Sequence, residues 1–234
     1  YMYQTKKGFT ITELMLSMAI VSLLIVAIAT TTIQMSKIMT KGKTMKELNV
    51  ASRSINKDFT EKFNSIQSVW GWNGTSSAST PGGNSNYISN GRGGAFCAGE
   101  FSYLWNTASA LRAGDGPIQY AGSKDNSIRL VRVRDVSKNY CSNPSSWENV
   151  PRDANVVTEI INAGEVDLMI YSISFRALSD AVSGQSLINI QYVLGTRSQD
   201  ATQLISQQCQ PQSDRADYCA INKFDLTVRT IGRK

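Results

Sequence analysis

Histidine is missing altogether from this 234-residue chain. Its absence removes the commonest general base and the commonest metal ligand, so a Ser-His-Asp triad cannot form. Cysteine is scarce: there are four, and none stands in a CxxC pair, which argues against a zinc site. Proline is scarce as well, with five in all and none before Pro81. Charge is missing from residues 14–36, a run of about the ~20 residues that a bilayer core demands of a helix. Gly91-Arg92-Gly93-Gly94 leads to Phe96 and not into a helix, so it does not cradle a phosphate. Ala113-Gly114-Asp115-Gly116-Pro117 reads as a turn with too few carboxylates for a calcium loop. Asn73-Gly74-Thr75 reads as a coincidental loop tripeptide. No catalytic residue, metal or cofactor is expected, and an enzyme is not indicated.

What is present begins with Lys6-Lys7-Gly8-Phe9-Thr10-Ile11-Thr12-Glu13-Leu14, which runs directly into the apolar stretch. A carboxylate at the start of a membrane helix is costly, and such groups are kept for function. Lys6 and Lys7 predict a cytoplasmic N-terminus. A cleaved secretory signal has a shorter apolar core and a small-residue cleavage site, which Ala27-Ile28-Ala29 matches poorly. An uncleaved signal anchor accounts for the charge and the apolar run, but not for Gly8 or Glu13.

The order of basic pair, Gly, Phe, Glu and spanning run resembles the class III signal peptides of type IV prepilins and type II secretion pseudopilins. The resemblance covers roughly the first thirty residues. It implies that a prepilin peptidase cuts between Gly8 and Phe9, and that the new amine of Phe9 is N-methylated. Glu13 then becomes the fifth mature residue, and its carboxylate pairs with the Phe9 amine of a neighbouring subunit. Such a pair sets axial register, as a polar residue does in a coiled coil. Major pilins commonly carry a helix-bending proline within this segment; its absence here fits an accessory subunit better. Tyr1 is not a start methionine, and Met2 is a candidate start.

Four regions are expected: leader 1–8, membrane-spanning and filament-core helix 9–36, amphipathic continuation 37–66 and periplasmic head 67–234. The head and its short lead-in are large enough for one domain with a real core. The net charge of +6 falls to about +4 without the leader lysines, too little to indicate nucleic acid. Cys97, Cys141, Cys209 and Cys219 all follow the apolar run, so an oxidising compartment predicts two disulfides. Cys97–Cys141 with Cys209–Cys219 is the favoured pairing, the second closing a short polar loop.

One helix is read from about Thr10 to Ser65. Met45, Leu48, Ile55, Phe59 and Ile66 recur along it at near-heptad spacing, and Gly42 marks a flexible point. Residues 71–94 read as loop, and residues 96–111 as a mixed segment holding Phe101, Tyr103 and Trp105. Residues 128–134 are strand-like, with a parity switch at Leu130-Val131 that signals a bulge or an edge. Residues 166–175, apolar on both parities, read as a central strand. Ile188, Ile190, Tyr192 and Leu194 share one face, and Phe224, Leu226 and Val228 alternate with polar residues. About four antiparallel strands on one long helix make an α+β layer, which is the pilin fold.

The size, the paired middle strands and the terminal Thr227-Val228-Arg229 are similar to PilW-type minor pilins and the related J-type pseudopilins. That implies a minor pilin that primes or caps a type IV pilus. Its partners are other minor and major pilins, the prepilin peptidase and the inner-membrane assembly platform. The subunit waits in the inner membrane as a single-pass protein with a periplasmic head, then enters the pilus, at its tip. A signal-anchored periplasmic adhesin is the alternative from another class. Two surface features bear on partners. Trp70, Trp72, Tyr87, Phe96, Tyr103 and Trp105 would make an adhesive patch if exposed. Arg129, Arg132 and Arg134 would make a stripe for DNA if solvated on one face.

Overall fold

The computed structural model describes residues 8–65, 86–123, 128–161, 166–179, 186–197, 209 and 219–230. Helix α1 runs unbroken over Ile11–Phe63. Thr10 caps it, with extended backbone and a side-chain oxygen that accepts from the Glu13 N–H at 3.3 Å. Ser17, Ser22, Thr30, Thr31 and Thr32 turn their hydroxyls back onto carbonyls three or four residues earlier. That habit satisfies polar groups inside an apolar segment without a partner. With no proline, nothing removes a ladder bond, and α1 passes through Gly42 as ordinary helix.

The first half of α1 is exposed on every side, while the second half buries one stripe: Thr44, Leu48, Ser52, Ile55, Phe59 and Phe63. This corrects the near-heptad reading at Met45, which stays 42% exposed. A hydrophobicity count passes over Thr44 and Ser52, yet both are buried because their hydroxyls are bonded. Thr44 donates to the Thr40 carbonyl at 3.0 Å, and Ser52 meets the Tyr192 hydroxyl at 3.0 Å. Ile66, Trp70, Trp72, the sequon at Asn73 and most of the 71–94 segment lie outside the described residues, as does the leader before Gly8.

Two antiparallel sheets pack on this stripe. The first is a five-stranded meander of β1 (Tyr87–Ser89), β2 (Gly93–Ala98), β3 (Phe101–Asn106), β4 (Leu130–Arg134) and β5 (Val157–Ile161). The second is β6 (Leu168–Ser179), β7 (Ser186–Thr196) and β8 (Ile221–Arg229), in that order. A parallel bridge between Thr107 and Ile170 joins their margins. The architecture is thus α+β with a long apolar N-terminal helix on antiparallel strands. The strands number eight among the described residues, where sequence reading expected about four. Strand β2 was hidden by its glycines, which the fold requires: a Cβ on Gly94 would lie 2.4 Å from Trp105 Cζ2.

The register in β4 shifts between Leu130 and Val131, where the parity switch lies. Strand β6 is not central: among the described strands its ladder is with β7, and its other side makes the single bridge from Ile170 to Thr107, so it stands at the sheet margin. Its double-sided apolar character has two other causes. A register shift between Ile170 and Ser172 moves the core face from Leu168 and Ile170 to Ile173 and Phe175. The short helix α2 (Ala108–Ala113) covers the opposite face, with Ala108 clustering against Met169, Tyr171 and Val193.

The main core lies between α1 and the sheets and is aromatic. Phe96 of β2 and Phe175 of β6 stack at 4.1 Å between centroids, and Phe59 and Phe63 of α1 meet this pair edge-on and face-on. A second core sits on the outer face of the first sheet. There Leu104, Val131 and Val133 are covered by Ile118, Trp147 and Val150. Cys97 of β2 is bonded to Cys141 of helix α3 (Asn139–Ser142) beside it, with Cα atoms 6.2 Å apart. Asp135 supports this join, accepting from Ser102 Oγ at 2.8 Å and from the N–H groups of Asn139 and Tyr140 at 3.0 and 3.1 Å. Cys209 is bonded to Cys219, just ahead of β8; the loop between them lies outside the described residues.

Candidate functional site

Gly8 and Phe9 precede the helix cap, and both are exposed, Phe9 at 82%. A Cβ on Gly8 would meet nothing within 4 Å, so the fold places no demand on this glycine. Glu13 completes a capping box: its Oε2 accepts from the Thr10 N–H at 3.0 Å and from the Thr10 hydroxyl at 2.9 Å. The carboxylate is therefore held on the first turn, directly after Phe9 in the chain. Beyond it, Leu14, Leu16, Ile20, Leu24, Ile28 and their neighbours stay at least half exposed. Every backbone bond of this stretch is internal to the helix, which is what hydrocarbon surroundings require. An unbroken apolar surface of this length needs lipid or other helices to cover it.

The lower half of α1 is joined to each sheet by a polar latch. To the second sheet, the Tyr192 hydroxyl donates to Asn56 Oδ1 at 2.8 Å and meets Ser52 Oγ at 3.0 Å. Burial pushes its pKa up to about 12. To the first sheet, Asp58 accepts from the Tyr103 hydroxyl at 3.0 Å and pairs with the Arg132 guanidinium. Burial, and then the Asp58 charge, push Tyr103 well above the usual tyrosine range. Arg132 also lies 5.2 Å over the Phe101 ring, with Lys62 at 5.4 Å from the same ring. None of these latches was legible in the sequence, where Ser52, Asn56 and Asp58 look like ordinary solvent-facing helix residues.

Both surface features read from the sequence are corrected. Tyr87, Phe96, Tyr103 and Trp105 are buried in the main core, because alternate residues of β1 to β3 face α1. They offer no adhesive patch; Trp70 and Trp72 lie outside the described residues. The three arginines do not form a solvated stripe either. Arg129 is buried and pairs with Asp167, Arg132 pairs with Asp58, and Arg134 lies 3.5 Å from Glu100. Each charge faces a carboxylate of the chain, and of the three only Arg134 stays exposed, so they do not act as one stripe. At the 113–117 turn, Gly114 takes a φ of 72° as the cap of α2, and Asp115 pairs with Arg92.

Residues 4–29 match the prokaryotic N-terminal methylation motif. No curated protein and no solved structure matches the chain. The motif match and the exposed apolar helix fit a membrane-anchored subunit of structural kind, not an enzyme family, and they support a type IV pilin-like or pseudopilin-like prepilin.

Proposed function

We propose that the chain is a minor pilin, a subunit that primes or caps a type IV pilus once its leader is removed. The prepilin peptidase cuts after Gly8, and Phe9 becomes the N-methylated first residue. The 9–36 segment anchors the waiting subunit in the inner membrane with the head, from residue 67, in the periplasm. On assembly this segment exchanges lipid for the apolar helices of other minor and major pilins. The inner-membrane platform drives that exchange. Glu13 leaves its capping contact and pairs with the Phe9 amine of the adjacent subunit, fixing axial register.

The observation that carries this reading is the joint placement of an exposed Gly8-Phe9 bond, a carboxylate on the first helical turn and an apolar first half of α1 exposed on every side. An unbroken helix without proline supports an accessory subunit over a major one. Intact mass and N-terminal sequencing, with and without a prepilin peptidase, test it. An N-methylated Phe9 start seen only with the peptidase is the expected result, followed by gold labelling at pilus tips. A retained leader overturns the reading and leaves a signal-anchored protein. Cleavage without any pilus labelling points to a secretion pseudopilus.

A further inference from the structure

The apolar run ends at Ser36, and the next ten residues carry Lys37, Lys41, Lys43 and Lys46, with no carboxylate before Glu47. All four are exposed on the continuous helix α1. At about 1.5 Å of rise per residue, residues 14–36 span about 34 Å, slightly more than the about 30 Å of a hydrocarbon core. When that run fills the core, the lysines fall in the headgroup layer on the head's side. The head begins within the same turns, since Thr44 and Leu48 are already buried against it. The lysines are thus confined between bilayer and head.

Their arrangement around the helix identifies the partner. At about 100° per residue, Lys37 and Lys41 share the side of Leu48 and Ile55, while Lys43 and Lys46 lie on the opposite side. Charge therefore rings the helix instead of forming one face. A ring suits a planar layer of anions pierced by the helix; an acidic patch on one neighbouring protein would meet only half of it. Met35, Ile38 and Met39, at 73–77% exposure, keep apolar contact at the same level, and lysine stems reach past such groups to headgroups. In the proposed orientation these four lysines flank the membrane segment on the periplasmic side, against the usual bias of basic residues to the cytoplasmic flank. Charges kept against that bias point to a partner on their own side.

We infer that Lys37, Lys41, Lys43 and Lys46 form a collar that binds anionic phospholipid headgroups of the leaflet on the head's side. The collar seats the subunit at a set depth until it is drawn into a filament. Attraction of basic segments to anionic leaflets is established physics and decays within a Debye length, about 8 Å at physiological salt. The inference rests on the membrane-anchored reading above.

The test reconstitutes the full chain into vesicles of equal phosphatidylglycerol and phosphatidylcholine and counts the lipids it retains by native mass spectrometry. Phosphatidylglycerol is expected to be enriched several-fold on the wild-type chain. The preference is expected to vanish when all four lysines become Gln (Lys37→Gln, Lys41→Gln, Lys43→Gln, Lys46→Gln) and to persist when all four become Arg. Unchanged melting of the Gln variant shows that the head still folds. Equal lipid ratios for wild type and Gln variant overturn the collar while leaving the anchor intact. Loss of cross-linked dimers in the Gln variant, without any lipid preference, overturns it in favour of a second copy of this chain. A chain that alkaline carbonate strips from the vesicles overturns the anchored reading and the collar together.

Discussion

The Tyr192 hydroxyl, at the centre of β7, donates to Asn56 Oδ1 of α1 at 2.8 Å, across 136 residues of sequence. One phenol thus holds the long helix α1 to the second sheet, and it does so from within an apolar core. Tyr192→Phe keeps the ring stacked on Phe224 and removes only the hydrogen bonds. The expected cost is about 1–2 kcal/mol, read as a lower denaturation midpoint with an unchanged m-value.

The same phenol makes stability depend on alkaline pH. Its folded-state pKa is raised to about 12, against about 10 for tyrosine in the unfolded chain. The folded state therefore holds the proton more tightly. Its contribution is complete below about pH 10 and is lost as pH rises through about 12. Tyr87, Tyr103, Tyr120 and Tyr140 are raised as well, each chiefly by burial. The tyrosinate absorbance of these five phenols is expected to appear late and steeply, together with unfolding. A gradual titration near the model-compound value, with the circular dichroism intact, would contradict this.

Asp58 is the other latch, and it is mostly buried with Arg132. Asp58→Ala leaves a guanidinium and the Tyr103 hydroxyl without their acceptor in the core wall. The expected loss is about 2–3 kcal/mol, below the full buried-pair value because both side chains keep some water. A double-mutant cycle with Arg132→Met checks it: the pair should show coupling of about 1 kcal/mol or more.

Glu13 serves as a cap and carries a charge, and two substitutions separate these. Glu13→Gln preserves the capping acceptor and removes the charge; Glu13→Ala removes both. If the charge drives assembly, both variants insert in the membrane and both drop out of sheared filaments. Incorporation of Glu13→Gln at wild-type level would assign Glu13 to helix capping alone.

Gly8 has open space around its missing Cβ, so Gly8→Val is expected to leave head melting unchanged while the leader stays on. Mass spectrometry of the chain co-expressed with the peptidase reads this directly. Efficient cleavage of the variant would remove Gly8 from the processing site.

Replacing Cys97 and Cys141 together by Ser is expected to cost about 2–5 kcal/mol, since the bond closes a 44-residue separation and ties α3 to β2. Reductant should lower the wild-type melting temperature by more than that of the double variant, in which only Cys209–Cys219 is left to reduce. Equal melting of both proteins, oxidised or reduced, would deny the bond a stabilising role.

Several elements could be read from residues alone because their determinants are local. The uncharged run after Glu13 is apolar on every side of a helix, and it could be read as one from about Thr10. Alternation at Ile188, Ile190, Tyr192 and Leu194 states which face of β7 is buried. The parity switch at Leu130-Val131 announced a bulge or an edge, and the pairing with β5 decided for the register shift. Other features depended on what packs opposite. Val166 to Phe175 looked central because apolar parity records burial, not strand neighbours; α2 and a bulge supplied that burial at a sheet edge. Gly93 and Gly94 looked like loop until Trp105 lay over them. Arg129, Arg132 and Arg134 looked like a basic stripe because their carboxylates, Asp167, Asp58 and Glu100, come from distant chain positions. The sequence by itself determined the helix, its apolar half and the motif at its start, through short-range spacing and hydropathy. The tertiary structure alone decided which polar residues lock that helix to the two sheets, because a hydrogen bond is set by which groups the fold brings within about 3 Å.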